Sequence, residues 1–549
     1  WDCHGLPIEH EVEKKLGTEK KAALSKLEIR RLCRDYAARF VDVQREDFKR
    51  LGIIGDWSHP YLTTDYGYEA TEVRELAKFV SSGELYRGKK PVHWCPSCQT
   101  ALAEAEVEYR DVTTRSIYVS FPLVEPYHAT LTAFTGTPLS AAIWTTTPWT
   151  LPANLAIAVH PEIEYAVVET REGGAVIAAL ALLPKLATVV GDEPCVLATV
   201  RGADLEGVRT RHPWLDRESP IVLGEHVTLE AGTGLVHTAP GHGQEDYEVG
   251  LRYGLDVYAP VDGRGRFVPA VAEFGGMKVF EADAKIIEHL EGQGRLLDAA
   301  PLQHAYPHCW RCHKAIIFRA TEQWFISMEA KDLRGRALAA IEQVRWIPSW
   351  GRDRIAGMVS ARPDWCISRQ RAWGVPIVAL HCEKCGTTST NETLLAHAAD
   401  LFAVESSDAW FARPVADFVP PGFVCPECGG TTFTKEEDIL DVWFDSGVSF
   451  AAVVERRPEL GGHPDLYLEG SDQHRGWFQS ALLTSVGTRG SAPYQSVLTH
   501  GFVLDEDARK MSKSVGNVVA PQQIVASHGA DILRLWVAAE DYRDDVRIS

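Results

Sequence analysis

The sequence predicts a mixed α/β chain that carries an inserted, strand-rich, barrel-like domain. Three observations lead there. Charged segments with a helical apolar period open the chain, and from about residue 115 to about 300 runs of Val, Ile, Thr and Ala broken by Gly and Pro take over. That block is bracketed by two Cys-x-x-Cys turns, Cys95/Cys98 and Cys309/Cys312. If the two turns meet on one ion, residues 99–308 must begin and end at one place, as an insertion does.

The elements follow in chain order. Residues 9–51 are helix-periodic, with Leu16, Leu24, Leu27, Leu32, Tyr36 and Phe40 expected to form the apolar stripe. Residues 69–82 form a second helical segment, stopped at Ser82-Gly83 because glycine readily takes the left-handed backbone that ends a helix. Within the strand-rich block, residues 117–121, 156–159, 166–168 and 221–223 read as strands. After 303 the mixed pattern of helices and strands returns, and no internal repeat or low-complexity stretch appears.

Bulk composition narrows the function classes. A length of 549 residues suits three or four domains of about 150 residues each. Hydrophobic residues at 45% and charged residues at 24% supply an ordinary globular core. The formal charge of −19, from 75 acidic against 56 basic side chains, excludes a uniformly basic nucleic-acid binder. A localised basic patch remains compatible with RNA contact. No apolar run reaches the ~18 to 20 residues that a helical membrane span needs. The chain opens on Trp1-Asp2-Cys3-His4-Gly5 without an initiator Met and closes on residues 543–549 without a distinct tail, so it is expected to be cut from a longer product at both ends.

Eight of the 12 cysteines fall in four Cys-x-x-Cys pairs, the further two being Cys382/Cys385 and Cys425/Cys428. Each turn puts two sulfurs at bite distance for one tetrahedral ion, so two turns close a four-thiolate zinc site. Cys382/Cys385 and Cys425/Cys428 read as paired knuckles, with Gly386, Gly429 and Gly430 freeing the turns. The rival reading is disulfides or unmetallated thiols, and disulfides are rare in cytosolic chains.

Lys510-Met511-Ser512-Lys513-Ser514, followed by Gly516 and Asn517, is the catalytic candidate. Two lysines three apart among small hydroxyl residues make a cationic loop that can clamp a triphosphate and stabilise charge on leaving pyrophosphate. A solvated basic turn is the plainer alternative. Further segments keep it company: residues 1–9 (WDCHGLPIE), 144–150 (WTTTPWT) with 152–154 (PAN), 232–243 (GTGLVHTAPGHG), 365–371 (WCISRQR), 441–447 (DVWFDSG) and 469–477 (EGSDQHRGW). In this order and over nearly the whole chain, they resemble the class I aminoacyl-tRNA synthetases, and among these the isoleucyl enzymes. Valyl and leucyl relatives carry an Arg-Pro pair where this sequence has Thr147-Pro148-Trp149.

The resemblance implies a Rossmann-like parallel-sheet catalytic domain, lacking its first strand, split by an editing domain. Residues 1–112 and 303–525 would form the catalytic part, with a knuckle insertion at 380–432 and the lysine loop at 510–514. Residues 113–302 would be the editing domain, and 526–549 would lead toward a helical anticodon-binding domain. The implied reaction joins isoleucine to its tRNA through an adenylate, with ATP, Mg2+ and Zn2+, in a cytoplasmic monomer without membrane contact. Asp2 would hold the substrate ammonium. Trp443, Gln473 and Trp477 would shape the side-chain pocket, Glu469, Gly470 and Asp472 would line the nucleotide, and Lys510 and Lys513 would serve the phosphates. The His-x-Gly-His phosphate turn of the family would lie upstream of Trp1, so these residues alone are not expected to activate isoleucine.

Valine lacks one methylene of isoleucine, which is worth about 1 to 3 kcal/mol, a magnitude established on this enzyme class rather than read from these residues. A second, hydrolytic site is therefore expected. The resemblance assigns to it Thr145, Thr146, Thr147, Asn154, His237, His242 and Asp246, with Asp246 gripping the ammonium of mischarged valine and His237 and the threonines positioning the ester and a water. Satisfied core histidines are the plainer reading of His237 and His242. A stand-alone tRNA-editing hydrolase would not account for the Lys510 loop or residues 469–477, and a non-catalytic zinc-stabilised RNA binder would not need Lys510 and Lys513.

Overall fold

The computed structural model describes residues 1–170, 174–511 and 516–548, apart from the side chains of Thr18 and Ala22. The fold is mixed α/β, in two compact units. One comprises residues 1–87 and 324–549, the other residues 88–323.

In the first unit the opening helical segment comprises Leu6–Ala23, kinked at Gly17 where φ is 74°, and Lys26–Arg50. Ser25 separates them with a capping box. Its hydroxyl accepts from the Glu28 amide at 3.3 Å, and its own amide donates to the Glu28 carboxylate at 2.7 Å. The buried face differs from the expected stripe: Ile29, Arg30, Cys33, Ala37 and Val41 are buried, whereas Leu32 and Phe40 are each 39% exposed. Apolar residues occur on two phases of this helix, and packing selects the phase with small or branched residues four apart, which lets a neighbour approach closely.

The helix Tyr66–Ser82 starts on an Asp65 cap, whose carboxylate accepts from the Tyr68 amide at 3.1 Å, and ends on Gly83 at φ 77°. It buries Tyr68, Val73, Leu76 and Phe79, but also Glu69, Glu72 and Glu75. Buried carboxyls on a core-facing stripe are exceptional. Two of them belong to the site described below.

Three parallel strands follow the order Arg345–Ile347, Ser496–His500, Leu466–Gly470. Around them lies a large apolar core including Phe79, Trp365, Phe402, Trp410, Phe444 and Phe478. A separate small sheet, Thr388–Ser389, Leu380–Cys382 and Phe433–Lys435 in that order, carries one of the cysteine turns.

The second unit is built on a ten-stranded mixed sheet. Its centre places Leu139–Thr145 beside Leu235–Thr238, which in turn pairs with Ala156–Val159. Ala156–Val159 and Ala175–Ala179 are buried along their whole length, as strands covered on both faces are. Val107–Pro122 and Leu296–Cys309 form a long antiparallel ribbon, paired from Val107↔Cys309 to Val119↔Leu296. Residues 112 and 302 both lie inside that ribbon, while the compact unit runs to residues 88 and 323.

Candidate functional site

In the first unit, residues 469–477 begin at the carboxyl end of the strand Leu466–Gly470, where open parallel sheets bind ligands. Gly470 pairs with His500 at the end of the neighbouring strand. A Cβ on Gly470 would come within 2.8 Å of the Asp472 carboxylate, so the missing side chain lets the chain turn there. Gln473 is fixed by its neighbours, its amide donating to Asp472 Oδ2 at 3.0 Å and its carbonyl accepting from the Trp477 amide at 2.9 Å. The Trp477 ring stacks on Tyr467 at 3.9 Å and its indole N–H donates to the Ser446 carbonyl at 3.0 Å. Trp443 is half-buried against Gly476, where a Cβ would meet its ring at 2.9 Å.

Asp2 is exposed, yet the surrounding protein crowds it: burial, together with the carboxylates of Asp445 and Glu469, pushes its carboxyl up to about 6. Gly5 seats this segment, because at φ 104° it packs where a Cβ would lie 2.7 Å from Val442. Beneath it His4 is fully enclosed. Its Nδ1 lies 2.8 Å from Asp445 Oδ2 and its Nε2 3.4 Å from Glu69 Oε1. Burial acts to depress the imidazolium, but the two carboxylates outweigh it and raise the His4 pKa. Tyr68 donates to the Asp445 carbonyl at 2.6 Å. Glu72, also fully buried, is pushed well above the carboxylate range by burial and by Asp445.

Lys510 is exposed, and no hydrogen bond or ion pair joins it to Asp2 or Glu469 among the described residues; Lys513 lies outside them. The ends of the lysine loop are pinned by Asp505. That carboxylate accepts from the Arg509 amide at 2.7 Å on one side of the loop and from the Asn517 amide group at 2.8 Å on the other.

In the second unit, the threonine segment and the histidine strand are neighbours, with Trp144 paired to Val236. His237 Nε2 lies 2.7 Å from Thr150 Oγ1, and its Nδ1 lies 3.2 Å from the Asn154 amide nitrogen. Asn154 also donates to the Ala156 carbonyl at 2.8 Å and accepts from Ser219 at 2.5 Å. An amide nitrogen can only donate, so His237 carries its proton on Nε2 and gives it to Thr150. Burial pushes His237 down to about 3, so it is neutral at pH 7. His242 has the opposite tautomer: Nδ1 donates to the Phe318 carbonyl at 2.8 Å, leaving a buried Nε2 lone pair with no hydrogen-bond partner among the described residues. Thr145 Oγ1 accepts from the Thr147 amide at 3.1 Å, and Thr150 Oγ1 donates to the Thr147 carbonyl at 2.8 Å. Thr146 is half-buried. Asp246, half-buried, accepts from the Ala239 amide at 2.9 Å, and burial pushes its carboxyl up to about 6.

All eight paired cysteines are free thiols and form two clusters, Cys95/Cys98/Cys309/Cys312 and Cys382/Cys385/Cys425/Cys428. Within each, the four sulfurs lie within 4.8 Å of one another, with contacts of 3.5 Å for Cys95–Cys312 and Cys382–Cys428 and 3.6 Å for Cys385–Cys425. A tetrahedral ion with bonds of about 2.3 Å to sulfur sets its sulfurs about 3.8 Å apart, close to these separations, so both donor sets suit zinc.

A family model described as tRNA synthetases class I (I, L, M and V) matches residues 1–549. The chain belongs to that family. Among curated class I synthetases, it is 59% identical to an isoleucine–tRNA ligase of Geobacter sulfurreducens over 549 residues, covering 100% of this chain and 59% of the relative. It is 58% identical to the isoleucine–tRNA ligase of Desulfovibrio desulfuricans over 554 residues, again covering 100% of this chain and 59% of the relative. A solved LeuRS–tRNA–LeuAMS ternary complex from Agrobacterium radiobacter aligns with 18% identity and a TM-score of 0.41, covering 100% of this chain and 64% of that one. The chain thus spans 59% of the length of those curated synthetases.

Several groups in this synthetase chain escaped the sequence reading. His4 and Asp445 lie inside motifs that were recognised, but their pairing spans 441 positions and leaves no local spacing signal. Glu72 sits on an ordinary helical period. Asp505 stands just before the lysine loop, and a carboxylate five residues ahead of a lysine is common on any surface.

Proposed function

We propose that this chain carries the amino-acid-activating and editing machinery of an isoleucine–tRNA ligase. The observation that carries the reading is the convergence at the end of a parallel strand: Glu469, Gly470 and Asp472 emerge there, with Gln473, Trp477 and Trp443 packed around the turn. Asp2 would hold the α-ammonium of isoleucine as a carboxylate. The two indoles offer an apolar wall for a branched side chain, and Gln473, held at both ends of its amide, gives that wall a fixed edge. In activation the isoleucine carboxylate attacks the α-phosphorus of ATP and pyrophosphate leaves. Lys510 and Lys513 would neutralise the leaving group together with Mg2+. A hydroxyl of the terminal ribose of the tRNA then attacks the acyl carbon, the acyl–phosphate bond breaks and AMP leaves.

The editing reading rests on the threonine–histidine network. Both nitrogens of His237 are engaged, so its contribution is to orient Thr150 and the turn behind Thr145–Thr147 rather than to take a proton. The free Nε2 lone pair of neutral His242 can accept from a ribose hydroxyl or a water. Asp246 as a carboxylate would bind the ammonium of mischarged valine, and hydrolysis then needs a placed water and an oriented ester. Zinc bound by either four-cysteine cluster would be closed to substrate, since four thiolates fill its coordination, and would act by tying distant turns together.

ATP–pyrophosphate exchange by the full-length gene product tests the first half. Exchange driven by isoleucine is expected, and a protein that consumes no ATP in its presence refutes the reading. For the second half, this chain should deacylate valyl-tRNA while sparing isoleucyl-tRNA. Asp246→Ala should lose that selectivity, most visibly as hydrolysis of correctly charged tRNA.

A further inference from the structure

The short 3-10 turn Pro148–Ala153 directly follows the threonine segment, and all of its residues are buried. Such a turn leaves its first amides without partners inside the turn. Pro148 has no N–H to satisfy, so the first orphan donor is the amide of Trp149. The side chain of Thr147, the capping residue, caps none of the turn's backbone amides and instead meets the Thr150 hydroxyl at 3.4 Å. The acceptor comes from 134 positions away: Asp283 Oδ1 takes the Trp149 amide at 2.9 Å. Asp283 lies on the helix Val279–Gly292, one turn after Phe280. Residues three apart share a helix face. Phe280 meets the Trp149 ring edge-on at 6.4 Å between centroids, so the same helix face holds both the backbone and the ring of Trp149. That ring also meets His242 at 5.0 Å, again edge-on.

We infer that Asp283, with Phe280 beside it, is a positioning residue for the editing reaction, clamping Trp149 so that the threonine turn and His242 keep their places. Two routes lead from the clamp to the proposed site. Through the backbone, Trp149 is followed by Thr150, which bonds both the Thr147 carbonyl and His237. Through the ring, Trp149 packs against the imidazole whose Nε2 is free. Asp283 makes no claim to touch substrate. Its loss would strand a buried amide and free the turn that joins Thr145, Thr146 and Thr147 on one side to Asn154 on the other. The inference rests on the editing reading above for its consequence, but the clamp itself is measurable without it.

The test compares this chain unaltered, as Asp283→Ala and as Asp283→Asn. Asparagine keeps an acceptor oxygen at the same reach; alanine does not. In deacylation of valyl-tRNA, Asp283→Ala should lower kcat about 10- to 100-fold with KM within about twofold, because misplacement rather than binding is at fault. Asp283→Asn should recover most of the rate. In amide hydrogen exchange, the peptide covering residues 145–153 should exchange about tenfold faster in Asp283→Ala and stay near the unaltered rate in Asp283→Asn. Unchanged exchange at 145–153 in the alanine variant overturns the clamp. So does an asparagine variant as impaired as the alanine one, or full valyl-tRNA hydrolysis by the alanine variant. If the unaltered chain fails to hydrolyse valyl-tRNA, the editing reading falls, while the exchange data still decide whether Asp283 holds the turn.

Discussion

Glu72 is fully buried, no donor group reaches either of its oxygens among the described residues, and the Asp445 carboxylate is its neighbour. An arrangement of this kind is sustained by a proton on Glu72. Burial first, and Asp445 second, push its carboxyl well above the ordinary 4.5. The folded chain then binds that proton more tightly than the unfolded chain. The resulting stabilisation is fully present below pH 4.5 and drains away as pH rises toward the elevated folded value. Glu72→Gln supplies a permanent N–H donor toward Asp445 in place of the proton. It should therefore raise stability at pH 7 by about 1 to 3 kcal/mol, with the gain vanishing near pH 4. Thermal melts of the two proteins at both pH values measure this; a variant less stable than its parent at pH 7 would mean that Glu72 is ionised in the fold. The chemistry of single residues was only partly legible in the sequence. Asp2 and Glu469 stand out because they sit in motifs. Glu72 does not, since nothing in a helical period distinguishes a buried acid from an exposed one until Asp445 is brought against it.

Between residues and domains, local signals decided most boundaries. Gly83 ends its helix where the sequence predicts, and residues 117–121, 156–159, 166–168 and 221–223 all lie in strands. The helical segment 9–51 was harder to read, because it breaks twice, at Gly17 with its φ of 74° and at the reciprocal cap on Ser25. That cap has a consequence: Ser25→Ala should destabilise the first unit by about 0.5 to 2 kcal/mol, whereas Ser25→Asp should stay near the parent in urea titrations. The knuckle cysteines offer a second test. Cys382/Cys385 and Cys425/Cys428 come together only because residues 386–424 loop out and return, and that loop holds the helix Glu392–Glu405. With zinc bound, the ion closes the loop. Cys428→Ser should then lower zinc by one equivalent out of two and expose residues 406–424 to protease. Zinc content unchanged in this variant would remove the cluster from the metal sites.

At the scale of the whole molecule, the division into residues 1–87 with 324–549 and residues 88–323 has a physical basis that the strand-rich pattern signals only in part. The ribbon Val107–Pro122 and Leu296–Cys309 stays paired on both sides of residues 112 and 302, so composition alone places the edge of the insertion inside a strand pair that hydrogen bonding keeps whole. The second unit contains its entire ten-stranded sheet, its own apolar clusters and all four cysteines of one cluster. A segment of that size supports a core of its own, and a closed metal site fixes its two ends, Cys95 and Cys98 near one and Cys309 and Cys312 near the other. Residues 88–323 expressed alone should therefore bind one zinc ion, melt in a single cooperative transition and lose that transition on chelation. The Cys98→Ser form should behave as the chelated one without any chelator. An isolated segment that takes up no zinc, or that melts identically with and without it, would show that these four sulfurs meet only because the rest of the chain holds them there.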